Sequence, residues 1–335
     1  MNCAHEPPQN PIQPRRLDVD VARGIGISLV VLGHIGTPYY RGIYLFHMPL
    51  FFFLSGLTTS KHKLVDGKSF LMSSLAQTVT YCAYLLLLVV WLASRGELSR
   101  QPLVEAAILV CGGELLVSAG AAYWFPTCLV LAKVLFRGYL LAGTSRMRLV
   151  VCLATIPTSI VIASALPEFW LPWAANVAPI AFAFILLGDT SRGWLDKASS
   201  PLKSAIVLTG AGAIWAAQAG YLETLDMKYA SFGPVGSSLI AGAIAALCVF
   251  ILCGPIARTA LAGPLAAVGR RSMLIMYTHQ FVQLTIAAYW EVNRLALAMA
   301  TVLVCCLIHE LLAATRISRA VLLADRSAYL TPSKC

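Results

Sequence analysis

The chain has 335 residues, 59% of them apolar and 12% charged, with a mean hydropathy of +0.76. So little charge cannot cover a soluble surface of this size, which excludes a soluble enzyme or binding domain and leaves a polytopic membrane protein. The net charge of +10 does not imply a nucleic-acid partner, because the basic residues form short clusters between apolar runs with no aromatic-basic patch.

In chain order, residues 1–16 carry Pro and Arg but no apolar core followed by a small-residue cleavage site. They predict a cytoplasmic N-terminal tail, and the first apolar run predicts an uncleaved anchor. Runs of spanning length then follow near 21–38, 43–59, 70–94, 122–141, 148–166, 172–188, 203–221, 235–256, 271–289 and 295–314. A further run at 103–118 holds Glu105, Glu114 and a Gly pair.

The placement of Lys and Arg decides whether that run spans. With ten spans and a cytoplasmic N-terminus, eighteen basic residues fall inside and five outside, with Arg23 and Lys133 within spans; an eleventh span leaves seven inside and sixteen outside. The expected fold is therefore an all-α membrane bundle of about ten transmembrane helices with both termini cytoplasmic, and 103–118 is expected to be re-entrant or interfacial. The membrane domain is expected over 17–318, with a cytoplasmic C-terminal tail at 319–335. The ten cysteines show no CxxC pair and no His/Cys ligand spacing, and most lie inside apolar runs, so neither a disulfide framework nor a metal site is expected.

Ionisable groups at membrane depth are costly and mark functional candidates. In "DVARGIGISLVVLGHIG" (20–36), Arg23 and His34 lie eleven residues apart. Eleven residues advance about 1100°, three turns and about 20°, so both share one helix face, about 16 Å apart along the axis. On the expected topology Arg23 is near the cytoplasm, where a guanidinium can hold a phosphate by bidentate hydrogen bonds, and His34 lies toward the outer half, where it can accept a proton. The competing structural reading has Arg23 snorkel and pair with Asp20 while His34 bonds a neighbouring helix.

His47 in "FHMPLFFFLSG" (46–56) returns toward His34 after a short turn, as a substrate ligand or second titrating group. Phe51, Phe52 and Phe53 read as lipid-facing or as core packing. His279 lies about two turns into the ninth span, beside Thr278 and Gln280. Trp124 and Trp170 fall where an interfacial aromatic belt is expected. His309 and Glu310 pair close to the cytoplasmic end of the last span, where a surface role and a site role are both open, and Lys133 and Asn176 are embedded polar groups without a predicted partner.

Four stretches together, "RLDVDVARGIGISLVVLGH" (16–34), "LFHMPLFFFLSG" (45–56), "YWFPTCLVLAKVLF" (123–136) and "VGRRSMLIMYTHQFV" (268–282), resemble the acyltransferase 3 family and its branch similar to fucose 4-O-acetylases. The resemblance implies a ten-helix integral-membrane O-acyltransferase of the bacterial inner membrane. Its substrates would be acyl-CoA, commonly acetyl-CoA, and a sugar hydroxyl of a surface polysaccharide or lipid-linked oligosaccharide. Acetyl-CoA is implied as co-substrate, with no bound cofactor.

The family's essential Arg and His carry over onto Arg23 (donor binding) and His34 (general base or transient acyl carrier). Secondary candidates for acceptor binding or orientation are His47, His279, Asp20, Trp124 and Lys228. Lys228 lies in "DMKYASFGP" (226–234), a loop in which relatives usually carry Arg; a lysine lacks that bidentate fork, so the sugar's identity does not carry over. Pro126 likewise stands where relatives more often have an aliphatic residue. Many relatives also carry a fused soluble hydrolase-like domain that is not seen here, so a stand-alone membrane enzyme is expected.

The rival from another class is a transporter or exporter using the buried Arg and His as a substrate or proton site. A third reading, a structural or sensory membrane protein, would leave both residues replaceable.

Overall fold

A computed structural model describes residues 16–98 and 101–328. The rest of the expected N-terminal tail, the end of the C-terminal tail with Lys334 and Cys335, and Arg100 lie outside the described residues. Among the described residues the chain is helical, with one isolated bridge between Asp226 and Ser231 in place of any sheet.

Helix α1 (Leu17–His34) has Asp18 and Asp20 in its first turn, where carboxylates favour the positive end of the helix dipole. It stops at Gly36, whose positive φ of 68° turns the chain into α2 (Tyr40–Thr58). Short α3 (Lys61–Val65) leads to α4 (Gly67–Ser94), capped by Asp66, whose carboxylate accepts the Ser69 N–H at 2.9 Å. Next come α5 (Pro102–Cys111), α6 (Trp124–Leu141), α7 (Ser145–Ala165), α8 (Ala178–Thr190), short α9 (Trp194–Lys197) and α10 (Ser200–Ala219). The chain continues through α11 (Ser237–Ile256), α12 (Ala262–Arg270), α13 (Ser272–Tyr289), α14 (Arg294–Ala313) and α15 (Arg316–Leu322).

Each of the ten expected spans falls on one of α1, α2, α4, α6, α7, α8, α10, α11, α13 and α14. By length and apolar content alone, six stretches among the described residues are able to cross a membrane: Gly67–Ser94, Ser118–Leu141, Ser145–Ala165, Pro172–Thr190, Pro234–Ile256 and Arg294–Ala313. Three of the helices outside that set carry conspicuous polar groups: Asp18, Asp20 and Arg23 on α1, Arg41 and His47 on α2, and His279, Gln280 and Gln283 on α13. Asp20, His47, His279, Gln280 and Gln283 are buried. Much of the polarity that lowers the apolar score of these helices is thus turned into the bundle, while Arg41 is exposed.

Helix α5 has ten residues, about 15 Å at 1.5 Å per residue and half the hydrocarbon thickness. It ends at Gly112 and Gly113, both at positive φ. The sixth expected span begins as a helix at Ala178, six residues later than its hydropathy suggests, because Pro172–Ala174 forms a 3-10 turn with Trp173 at φ 62°. Asn176 lies in that connection, where its Oδ1 accepts the Leu171 N–H at 3.3 Å and its carbonyl accepts the Ser159 hydroxyl at 2.8 Å. Part of the expected C-terminal tail is folded: α15 packs on α4, and the Tyr84 hydroxyl donates to the Leu322 carbonyl at 3.2 Å.

Two glycine seams draw the central helices together. A Cβ on Gly24 would stand 2.0 Å from the Leu265 carbonyl oxygen, and one on Gly269 would stand 1.9 Å from that of Asp20, which locks α12 against α1. The second seam joins α2 to α8: a Cβ on Gly56 would stand 1.9 Å from Ile185 O, and one on Gly188 would stand 2.0 Å from Phe53 O. Backbones this close leave no room for any side chain, which is how apolar helices gain dispersion contact without a hydrophobic driving force. Around the seams Phe52, Phe53, Phe136 and Phe182 are fully buried. Leu149, Val150 and Leu153 on α7 and Leu303, Leu307 and Leu311 on α14 are exposed instead, as lipid-facing positions require.

Candidate active site

The face of α1 that carries Arg23 and His34 opens onto two cavities, one at each end. The cavity at His34, about 150 Å³, is lined by Val30 and His34 of α1, Tyr44, His47 and Met48 of α2, Trp124 of α6, Met276 of α13, and Leu225–Tyr229 of the loop before α11. The cavity at Arg23, about 400 Å³, is lined by Arg23, by Phe51, Ser55 and Thr58 of α2, by Phe125, Leu129 and Lys133 of α6, and by Gly269, Arg270, Ser272, Met273 and Met276.

At the first cavity, local helix geometry sets the histidine tautomers. His34 Nδ1 lies 2.9 Å from the Val30 carbonyl, one turn back on α1. Since a carbonyl only accepts, Nδ1 carries the proton and Nε2 keeps its lone pair. His47 repeats the arrangement on Ile43 O at 3.0 Å, and His279 on Ile275 O at 2.8 Å and Met276 O at 3.1 Å. The His34 and His279 rings meet edge-on with centroids 5.1 Å apart, and Tyr44 lies 6.2 Å from His34 and 4.9 Å from His47. His279 Nε2 is buried with no hydrogen-bond partner among the described residues. A base at His34 Nε2 would form an imidazolium whose Nδ1–H is already bonded to the Val30 carbonyl, a preorganised stabilisation of the charge.

The loop at 222–236 covers this cavity. Lys228, 8% exposed, donates from Nζ to the Leu116 carbonyl at 2.7 Å and lies 5.0 Å from the Tyr229 ring centroid, tying two connecting segments together. Asp226 Oδ1 accepts the Lys228 backbone N–H at 3.1 Å. Burial pushes the Lys228 ammonium below its ordinary value, opposed by the charges of Asp226 and Glu114. Burial likewise pushes the Asp226 and Glu114 carboxyls up, opposed in both by Lys228 and, in Asp226, by backbone N–H groups. A carboxylate, an ammonium and two tyrosines around one small cavity offer acceptors, donors and aromatic faces, the groups that suit a polyhydroxylated ligand.

The second cavity is cationic. Arg23 donates to the Thr58 hydroxyl at 3.0 Å and lies 3.8 Å from Asp20. Lys133 and Arg270 line the same space, and no carboxylate lines it among the described residues. Three cations around a cavity of this size suit a polyphosphate.

Of the predicted residues, His34, His47, Trp124 and Lys228 meet at the first cavity, with His279 in ring contact behind His34. Arg23 lines the second, with Asp20 beside it and buried against α12. Trp124 is buried in the cavity wall instead of standing in an interfacial belt, whereas Trp170 is 36% exposed. Glu310 pairs with Arg271 and, at 3.3 Å, with His309, as a surface cluster. Sequence reading missed Tyr44, Asp226, Tyr229, Arg270 and Met276. Tyr44 had a signal, lying three residues before His47 and so on the same helix face.

A family model described as "Acyltransferase domain" matches residues 16–310, the greater part of the chain. The Nodulation protein NolL of Mesorhizobium japonicum is similar over a short stretch, 44% identical and covering 14% of this chain and 16% of that protein. The chain therefore spans a small part of that relative's length. No solved structure matches.

Proposed function

The chain belongs to the acyltransferase 3 family and is a membrane acyltransferase; from that premise we propose that it moves an acyl group, acetyl in the first instance, from acyl-CoA to a sugar hydroxyl. The observation that carries this reading is the pair of cavities on one face of α1: a cationic one at Arg23 and a smaller one at His34 with polar and aromatic walls. The phosphates of coenzyme A bind Arg23, Lys133 and Arg270, and the thioester reaches toward His34. His34 Nε2 takes the proton of the acceptor hydroxyl as its oxygen attacks the thioester carbonyl. The C–S bond then breaks, the proton passes from the imidazolium to the departing sulfur, and the products are an O-acyl ester and free coenzyme A thiol. His47, His279 and Lys228 orient His34 and the acceptor.

The acceptor in this reading is a surface polysaccharide or a lipid-linked oligosaccharide, with fucose-like sugars among the candidates. Ten transmembrane helices with both termini cytoplasmic set the Arg23 cavity toward the cytoplasmic acyl-CoA pool, in a bacterial inner membrane. No nucleic acid, metal or resident cofactor enters the scheme.

The test is transfer of label from radiolabelled acetyl-CoA to envelope glycans in membrane vesicles from the producing strain and from its deletion mutant. Label that depends on the gene supports the reading; equal labelling of both refutes it.

A further inference from the structure

Among the described residues, Met276 is the one residue that lines both cavities. It sits on α13 three residues before His279, is buried, and receives a hydrogen bond on its carbonyl from His279 Nδ1 at 3.1 Å. The neighbouring helices change sides at the same level. On α2, Met48 faces the His34 cavity and Phe51, nearly one turn on, faces the Arg23 cavity; on α6, Trp124 lies on one side and Phe125 on the other. The Phe51 and Phe125 rings brace each other edge-on with centroids 5.9 Å apart. Along this wall Phe51, Trp124 and Phe125 are stiff aromatics, Met48 borders the His34 chamber alone, and Met276 borders both chambers. An unbranched thioether with three rotatable bonds at that shared position swings aside with little disturbance.

We propose that Met276 is the movable partition past which the acyl end of the thioester reaches His34, and that its bulk limits the length of the acyl group transferred. This rests on the acyl-transfer reading above. Beyond Met276 only about 150 Å³ is open, and that space must take both the acyl group and the acceptor hydroxyl. A longer acyl chain must share that volume with the acceptor, and a shorter side chain at position 276 enlarges it.

The experiment gives radiolabelled acetyl-CoA or hexanoyl-CoA to membrane vesicles carrying wild type, Met276→Ala or Met276→Phe, and measures label in the glycans. Thermal stabilisation by coenzyme A is read on the purified proteins. Met276→Ala is expected to raise the ratio of hexanoyl to acetyl transfer by about tenfold or more. Met276→Phe is expected to cut acetyl transfer by about tenfold or more with a smaller loss of stabilisation by coenzyme A, and a loss of stabilisation as large as the loss of transfer overturns the partition. Should the alanine variant fail to accumulate, the phenylalanine variant decides alone by its own criterion. Wild type that transfers acetyl, with neither variant changing ratio or rate, overturns the partition and spares the parent reading. Wild type that transfers nothing from acetyl-CoA overturns both.

Discussion

Gly269 holds two parts of the account at once, because it lines the Arg23 cavity and forms the seam between α12 and α1. In Gly269→Ala the new Cβ would lie 1.9 Å from the Asp20 carbonyl oxygen, where ordinary contact begins at 3.4 Å. The obstacle is backbone on both sides, so no rotamer relieves it and α12 must retreat by about 1.5 Å. A radial gap of that size forfeits about half or more of the dispersion attraction across the seam, and overpacking of this kind costs about 1–3 kcal/mol. Arg270 moves with α12 away from Arg23, and a displacement of about 1 Å at a positioned group is worth up to about a hundredfold in rate.

The assay is thermal unfolding of the purified protein with and without coenzyme A. The variant is expected to melt several degrees lower and to need about tenfold more coenzyme A for the same stabilisation. Gly24→Ala acts on the same seam, so the double variant should fall short of the sum of the two single losses. Wild-type melting together with wild-type response to coenzyme A in Gly269→Ala would show that the seam does not build the donor cavity.

Arg23→Lys keeps the charge but loses the planar fork, so coenzyme A should bind about tenfold or more weaker, with melting of the ligand-free protein unchanged; isothermal titration reads the first and a thermal scan the second. Lys228→Met removes the tie to the Leu116 carbonyl and should raise the apparent KM for the acceptor several-fold while leaving that for acetyl-CoA alone; a changed donor KM would count against the two-cavity division. The Asp66 carboxyl is held below its ordinary value by Ser69, whose side chain and backbone N–H both hydrogen-bond it. That contribution is therefore present above the unfolded carboxylate pKa and disappears as pH falls through the lowered folded value. Asp66→Ala should accordingly melt below wild type at neutral pH and converge with it in acid, and a constant gap across that range would contradict the cap.

Hydropathy made the helices legible because lipid-facing residues on α7 and α14 stay apolar whatever their neighbours are. Helical period made the Arg23–His34 face legible, since a face is a property of one segment. The start of α8 was not, because apolar Trp173, Ala174 and Ala175 extend the hydropathic run while Pro172 and the left-handed Trp173 break the helix. The glycine seams were silent as well: Gly24, Gly56, Gly188 and Gly269 gain meaning only from a backbone facing them on another helix. Met276 was invisible for the same reason, its place being set by α2, α6 and α13 together. Asp226 and Tyr229 lay within a stretch already singled out around Lys228, yet only the folded loop brings them to His34.

His34 bears the central claim most directly. Surface glycans from a deletion strain complemented with wild type or His34→Ala, analysed by mass spectrometry at matched membrane levels, should differ by the acyl mass. The wild type is expected to restore it and the variant to lose it by about a hundredfold or more, while purified His34→Ala keeps its stabilisation by coenzyme A. Glycans acylated to the wild-type level by His34→Ala would contradict the account at its core.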